Sequence, residues 1–231
     1  MKILVLAAHP DDEVLGLGGT IAKYAKAGDK FYISFLGEGL FSRKVLAGDH
    51  FSKRGRGRAL KELRASSRKA GRILGVKEIC FHNFPDNSFD MVPFLKLVKC
   101  VEGEIEKVGP EIIYTHFYGD LNIDHRLTFE ACLTAVRPLG RRVISRVLCF
   151  ETLSSTEWQA PVADRNFNPN WFEDISAFME KKKEALKAYK SEVRSYPHPR
   201  SPEGCEITAR RWGLKAGLTL AEAFWLMREI R

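Results

Sequence analysis

The first chemically distinctive stretch of the chain is a group of polar residues directly after an apolar run near the amino terminus. Residues 3–8 are all apolar and are followed by His9, Pro10, Asp11 and Asp12. Imidazole nitrogen and carboxylate oxygen are ligands that zinc accepts in a tetrahedral site. The spacing therefore predicts half of a zinc site, although one of the two aspartates could instead only cap the helix that follows.

The apolar run is the element that must position these side chains. An unbroken apolar stretch of strand length is typical of a parallel strand covered on both faces. Pro10 has no backbone donor for a sheet and a fixed φ, so the strand must end there. The polar residues then lie at the carboxyl end of the strand, which is the edge where open α/β sheets bind ligands.

The same stretch also carries a family resemblance. Residues 8–13 read Ala-His-Pro-Asp-Asp-Glu, which resembles the signature of the PIG-L/LmbE-like zinc-dependent de-N-acetylases, the N-acetylglucosaminyl deacetylases. In that family the His and the second Asp bind zinc and the first Asp is the general base, here His9, Asp12 and Asp11. The resemblance implies a metal-dependent N-deacetylase that releases acetate from a small N-acetylated amino sugar or its conjugate.

A second segment resembles the other zinc motif of the family. Residues 124–126 read Asp-His-Arg at the start of a predicted helix, which implies that His125 completes the site with one zinc ion per chain. A lone His at a helix start is otherwise more often a surface or capping residue. Two His and one Asp leave a fourth position open, as catalytic zinc requires. Fe(II), Co(II) or Mn(II) would accept the same ligands.

The oxyanion position differs from one branch of the family. That branch has a His three residues before the ligand His, and this chain has Asn122 there. Asn122 can donate a hydrogen bond but cannot become a cation, so we expect another residue to carry the positive charge. His198, fixed between two prolines, is our candidate for the oxyanion or leaving-group role. Asp124 is predicted to orient an imidazole, and a surface turn is the alternative for the His198 segment.

Four residues are predicted to bind substrate. Arg200, beside His198, is expected to grip an anionic part of the substrate. Arg64 and the pair Asp86 and Asn87 are assigned by the family resemblance, and the pair follows the third predicted strand. Asp86 and Asn87 could equally build only an Asx-type turn.

The order of elements predicts the fold class. Strand and helix patterns alternate through the first half of the chain, which implies βαβ units with right-handed crossovers. We expect a Rossmann-like three-layer α/β/α sandwich with a mostly parallel sheet, as a single domain over residues 1–231. Residues 40–57 lack periodicity and predict a loop near the site, and Lys181 to Lys183 are predicted to be solvated.

The composition limits location and partners. The net charge is +8, and residues 53–72 are rich in Lys and Arg, which indicates a solvated helix face or, alternatively, phosphate contacts. The five cysteines include no Cys-x-x-Cys pair, which argues against a disulfide framework. The sequence predicts no membrane span and a cytoplasmic location, and the resemblance suggests a homo-oligomer.

Two rival functions stay open at this point. One is a zinc hydrolase acting on a different amide. The other is a non-catalytic protein that binds a sugar nucleotide or nucleic acid through its positive face. We disfavour the second, and a nucleic-acid partner with it, because a binder does not need an open metal site beside a spare carboxylate.

Overall fold

The computed structural model describes residues 1–40, 53–138 and 144–231 of the chain, and within these ranges it contains a seven-stranded sheet and six α-helices. The strands are β1 (Lys2–Ala7), β2 (Lys30–Gly37), β3 (Glu78–Phe84), β4 (Ile112–His116), β5 (Arg146–Phe150), β6 (Trp171–Asp174) and β7 (Ala221–Glu229). The helices are α1 (Asp12–Lys26), α2 (Lys53–Leu74), α3 (Phe94–Val108), α4 (Ile123–Ala135), α5 (Met179–Ala188) and α6 (Pro202–Ala216).

The sheet is mostly parallel, as predicted. Its strand order is β3-β2-β1-β4-β5-β7-β6. The first five strands in this order pair in parallel, whereas β7 runs antiparallel to both β5 and β6. The sequence analysis did not predict β6 and β7, because their apolar residues show no regular alternation and the connection before them has no period.

Strand β1 contributes side chains to the hydrophobic cores on both faces of the sheet. Ile3, Val5 and Ala7 pack toward the layer that contains α1, α2, α5 and α6. Leu4 and Leu6 pack toward the layer that contains α3 and α4. Alternate residues of a strand point to opposite faces, so a strand between two helical layers must be apolar at every position. The predicted three-layer sandwich is confirmed.

The chain order places the ligand-binding crevice. From β1 the chain proceeds to β2 and β3 on one side, and it then returns to β4 and β5 on the other side. Open α/β sheets bind ligands at such a reversal, outside the carboxyl ends of the two central strands. The polar segments after β1 and after β4 therefore become neighbours.

The amino-terminal part of α2 differs from the prediction. The predicted loop over residues 40–57 is wrong for 53–57, which form the first turn of α2, and residues 41–52 lie outside the described ranges. Two glycines in this turn disfavour a helix in isolation. Nη2 of Arg56 donates to Oε2 of Glu38 at 2.7 Å, and this tertiary contact attaches the turn to the segment after β2.

Lys182 is the residue for which the prediction of a solvated helix face is wrong. Its side chain is buried, and Nζ donates to the carbonyl of Leu15 at 2.9 Å and to Oε1 of Glu222 at 2.7 Å. Glu222 also accepts from the backbone N–H groups of two residues of α1. The buried pair therefore joins α5 and β7 to α1.

None of the helices within the described ranges is both long enough and apolar enough to span a bilayer. The cytoplasmic location and the single-domain organisation stay predictions.

We expect Lys182→Ala to lower the free energy of unfolding by about 3–5 kcal/mol, because the change leaves the buried Glu222 carboxylate without its cationic partner. Urea denaturation of the full chain measures this difference. Lys181→Ala is the matched control, since Lys181 is exposed and surface substitutions usually stay within about 0.5 kcal/mol. If the two variants lost equal amounts of unfolding free energy, the stabilising role assigned to the Lys182–Glu222 ion pair would be contradicted.

Candidate active site

Asp11 occupies the turn between β1 and α1 in a conformation that is rare for a residue with a side chain. Its φ is 113°, in the left-handed region. Its carbonyl accepts from the N–H groups of Val14 and Leu15, and its own N–H donates to Oε2 of Glu13 at 3.0 Å. Backbone strain of this kind costs about 1–3 kcal/mol and persists where the surroundings enforce it. The Asp11 side chain makes no capping hydrogen bond to α1, so the capping alternative does not describe it.

The Asp12 carboxylate is the point on which three imidazoles converge. Its Oδ2 lies 3.3 Å from Nε2 of His116, 3.6 Å from Nε2 of His125 and 3.7 Å from Nδ1 of His9. The same oxygen accepts from the backbone N–H of His9 at 2.7 Å. Burial opposes ionisation of Asp12, but the surrounding imidazoles outweigh it and hold its pKa well below the usual range.

The three predicted metal ligands form a compact, buried group. His9, Asp12 and His125 each offer one ligand atom, and these atoms all lie within 4.8 Å of one another. With zinc bonds of about 2.0–2.1 Å, tetrahedral ligand atoms lie about 3.3 Å apart, slightly closer than the two distances from Asp12 to His125 and His9. The donor types and their spacing therefore fit a zinc ion.

Asp124 lies behind His9 on the side away from Asp12. Nε2 of His9 is 2.9 Å from Oδ2 of Asp124 and 3.0 Å from Oδ1 of Asp86. Asp124 also accepts from the N–H groups of Asn87 and Phe89. Burial would lower the pKa of His9, but the two carboxylates raise it to about 10. A carboxylate behind a ligating imidazole fixes the ring and strengthens the ligand.

Asp120 has the same relation to His125, and the sequence analysis missed it. Its Oδ1 lies 3.0 Å from Nδ1 of His125, while Ser155 and Thr156 donate their hydroxyls to its two oxygens at 2.5 Å. Burial alone would raise the pKa of Asp120, but His125 and the hydroxyls lower it to about 2. The sequence did contain a signal for this role, because Asp120 is an acidic residue in the loop just before the predicted ligand His125.

His116, at the end of β4, is the second residue that the sequence analysis missed. Its Nε2 accepts from the N–H of Ala8 at 2.9 Å, so the proton of the neutral ring is assigned to Nδ1, which faces the Thr152 hydroxyl at 3.1 Å. Burial and the adjacent His125 lower the pKa of His116 to about 4. The ring stacks on His125 at 4.0 Å, so a neutral imidazole supports this predicted metal ligand.

A cavity of about 220 Å³ opens above this group of residues. It brings together predicted residues from the loops after β1, β3 and β4 and from the segment before α6. The lining residues are His9, Asp11, Gly39, Asp86, Asn87, Asn122, His125, Ser154, Ser155, Arg194, His198 and Arg200. Arg194 is a cation of this wall that the sequence analysis did not identify.

Arg64 lies elsewhere. Its guanidinium lies 5.2 Å from the centre of the Phe81 ring, and Nη2 donates to Oδ1 of Asn83 at 2.5 Å. Among the described residues that line the cavity, Arg64 is absent. Its predicted role in substrate binding stays a prediction without support from this arrangement.

Asn122 begins α4 and belongs to the cavity wall. Its Oδ1 accepts from the N–H of Asp124 at 2.8 Å, which caps the helix. Its Nδ2 donates to Oδ1 of Asn87 at 3.0 Å, and Nδ2 of Asn87 donates to Asp86 at 3.1 Å. The predicted substrate-binding pair and Asn122 thus form one hydrogen-bonded edge of the cavity.

Arg200 reaches the predicted general base. Its Nη1 donates to Oδ2 of Asp11 at 2.9 Å, and its Nε donates to the Ser154 hydroxyl at 2.6 Å. The sequence analysis assigned Arg200 to an anionic part of the substrate. In the structure its guanidinium orients Asp11 and stabilises the negative charge of that carboxylate.

The tautomer of His198 follows from a neighbouring backbone group. The N–H of Arg200 donates to Nδ1 of His198 at 3.1 Å, so the proton of the neutral ring is assigned to Nε2. Burial lowers the pKa of His198, and the positive charges of Arg200 and Arg194 lower it further. His198 therefore offers an N–H donor rather than a positive charge.

Comparison with known proteins identifies relatives. Residues 4–136 match the model of the PIG-L family, described as GlcNAc-PI de-N-acetylase. The chain is also 31% identical, over 197 residues, to a diacetylchitobiose deacetylase of Thermococcus kodakarensis, with 83% of this chain and 70% of the relative covered.

Two solved structures share the fold. The N,N'-diacetylchitobiose deacetylase of Pyrococcus horikoshii has a TM-score of 0.76 at 21% identity, with 98% of this chain and 83% of that chain covered. The 4-carboxy-2-hydroxymuconate hydratase of Pseudomonas putida also has a TM-score of 0.76 at 21% identity, with coverage of 100% and 97%. At this identity the likeness shows the fold alone, and the fold is compatible with more than one reaction.

We expect Asp124→Asn to weaken zinc affinity about 10–100-fold, because the change removes the carboxylate behind His9. Competition with a chromophoric chelator measures the affinity. Glu130→Gln is the matched control, since Glu130 lies on the exposed side of the same helix. Unchanged affinity in Asp124→Asn would show that His9 does not depend on this partner as a ligand.

Proposed function

Because the chain belongs to the PIG-L family, we propose that it is a zinc-dependent hydrolase that removes the N-acetyl group from an N-acetylated amino sugar or its conjugate and releases acetate. The observation that carries the proposal is the position of Asp11. Its carboxylate opens into the same cavity as His9 and His125 and is the sequence neighbour of Asp12. A purely structural metal site does not need such a carboxylate.

His9, Asp12 and His125 would hold the metal in this proposal. Zinc so bound supplies Lewis-acid chemistry, which lowers the pKa of water to about 7 and polarises a carbonyl. Asp120 and Asp124 keep the two imidazoles in position through the nitrogens that face away from Asp12.

Asp11 acts as the general base. It takes a proton from the attacking water, and the resulting hydroxide adds to the acetamide carbonyl. When the tetrahedral intermediate collapses, the protonated Asp11 returns the proton to the amine as the C–N bond breaks. Arg200 keeps the carboxylate aimed at the cavity through its 2.9 Å contact and is a positioning residue for this step.

His198 stabilises the oxyanion as a neutral donor. Its Nδ1 is already occupied by the N–H of Arg200, so Nε2–H is the group that it can present to the cavity. A neutral imidazole is a weak acid, which favours the oxyanion role over protonation of the leaving group. Asn122 has its amide N–H₂ directed to Asn87 and supports the wall.

The polar cavity supports a sugar as the substrate. Its lining residues are mostly polar, and the relative from Thermococcus kodakarensis is named for its activity on diacetylchitobiose. Hydroxyl-rich rings are recognised by many such donors and acceptors, whereas an apolar ligand would leave them unpaired.

We expect the zinc-loaded protein to release acetate from at least one member of a panel of N-acetylglucosaminyl compounds. The panel contains free N-acetylglucosamine, diacetylchitobiose, and lipid-linked, thiol-linked and nucleotide-linked N-acetylglucosamine. A chelator should abolish the release and added zinc should restore it. Asp11→Asn should keep its zinc but lower kcat about 10²–10⁴-fold, because the base is lost.

The panel also separates the rival functions. N-acetylated compounds that are not sugars are added to the panel for this purpose, and acetate release from these alone would favour a hydrolase of a different amide. No release from any compound, with zinc bound, would overturn the proposed activity. Loss of zinc in Asp11→Asn would mark that residue as a ligand instead of a base.

His198→Ala is expected to lower kcat about 10²–10³-fold with zinc content unchanged, because one oxyanion donor is lost. His198→Gln should keep more activity than His198→Ala, since its amide retains an N–H. Tyr196→Phe, in the same segment but exposed, is the control for loop perturbation. Near-complete activity in His198→Ala would remove this residue from the mechanism.

A further inference from the structure

A second group of metal-ligand side chains lies between the edge strand β3 and helix α3. Cys80 and His82 are alternate residues of β3 and point to the same face of the sheet, and Glu104 approaches them from α3. One ligand atom from each of the three lies within 4.8 Å of the others. The group shares no residue with the predicted active site.

The two distances measured from His82 can be compared with those of a tetrahedral zinc site. Sγ of Cys80 lies 3.7 Å from Nε2 of His82, and that nitrogen lies 3.4 Å from Oε1 of Glu104. With a Zn–S bond of about 2.3 Å and Zn–N and Zn–O bonds of about 2.0–2.1 Å, tetrahedral geometry places sulfur and nitrogen about 3.5 Å apart and nitrogen and oxygen about 3.4 Å apart. The two distances from His82 are thus close to those of a tetrahedral zinc site, and the distance from Sγ of Cys80 to the Glu104 carboxylate lies within 4.8 Å.

A candidate fourth ligand, Cys100, lies on α3. Cys100 lies four residues before Glu104, hence on the same helix face. Burial, together with the nearby Glu104 and Cys80, raises the pKa of the Cys100 thiol to about 12. Glu104 and Cys80 both act on this thiol, which places Cys100 close to the group.

The surroundings of the group permit an added cation. Lys107 of α3 acts electrostatically on Cys80 and Glu104, but its Nζ donates to Oε1 of Glu78 at 2.6 Å, which partly neutralises its charge. Cys80 and His82 are partly exposed and Glu104 is buried, so an ion can enter from solvent and find a protected carboxylate.

We propose that Cys80, His82 and Glu104, with Cys100 as the fourth ligand, form a second zinc site that joins β3 to α3. A mixture of thiolate, imidazole and carboxylate selects zinc over the harder cations Mg²⁺ and Ca²⁺. Strand β3 pairs only with β2 in the described sheet, so a metal crosslink to α3 would stabilise an edge that has a single neighbouring strand.

Cobalt absorption tests the site separately from the active site. The predicted catalytic ligands include no cysteine, so thiolate-to-cobalt charge-transfer absorption in the near ultraviolet does not come from the catalytic site. We expect the metal-free full chain, titrated with Co(II) under anaerobic conditions, to develop this band and to reach saturation by two equivalents, one for each site. Added zinc should then remove it.

Variants assign the band to its ligands. Cys80→Ser should abolish it and Glu104→Gln should weaken cobalt binding, whereas His125→Ala, which removes a predicted catalytic ligand, should leave the band intact. Cys132→Ala is the matched control, because Cys132 is a buried thiol of the same core outside the group.

The wild-type titration decides the proposal even if a variant fails to fold. The absence of a charge-transfer band with excess Co(II) would overturn the proposal. The thiol, imidazole and carboxylate would then be only a hydrogen-bonded group. A band of full intensity in folded Cys80→Ser would overturn the proposal equally. Neither result would affect the proposed deacetylase activity, which depends on His9, Asp12 and His125.

Discussion

Compensation of buried negative charge is the constraint on which the active site depends. Five carboxylates at the crevice between β1 and β4 are almost completely buried: Asp11, Asp12, Asp86, Asp120 and Asp124. Buried carboxylates are costly unless they are paired and hydrogen-bonded. Two imidazoles with raised pKa values, one guanidinium and several N–H and hydroxyl donors compensate them here. The raised pKa of His9 shows that this surrounding still favours an added positive charge, and a metal ion can supply it in place of a proton.

The sequence was sufficient to predict the fold and the two motifs, for a physical reason. His9, Asp12 and His125 follow strands that end at the same edge, and the alternation of strands and helices implies a parallel sheet with that edge in common. His116 and Asp120 were missed because their roles depend on which atoms of the folded protein their side chains contact. The N–H of Ala8 makes His116 a neutral support, and no spacing rule contains that information.

The last third of the chain was the least predictable part. The family match ends at residue 136, and the later residues act through contacts that are distant in sequence. Lys182 belongs to a run of lysines that looks solvated, yet it is buried against Glu222 of β7. Local periodicity cannot identify such a partner, because a strand forty residues away supplies it. Arg64 shows the converse, since a motif position alone did not place it at the cavity.

Arg200 shows why this last third matters for chemistry. The fold is shared with a hydratase, so the reaction must be determined by side chains rather than by the sheet. The side chain of Arg200 holds Asp11, and its backbone N–H fixes the tautomer of His198. One residue therefore positions both the proposed general base, Asp11, and the proposed oxyanion donor, His198. A displacement of this segment would disturb both groups together, which couples the carboxyl-terminal segment to the motifs at the carboxyl ends of β1 and β4.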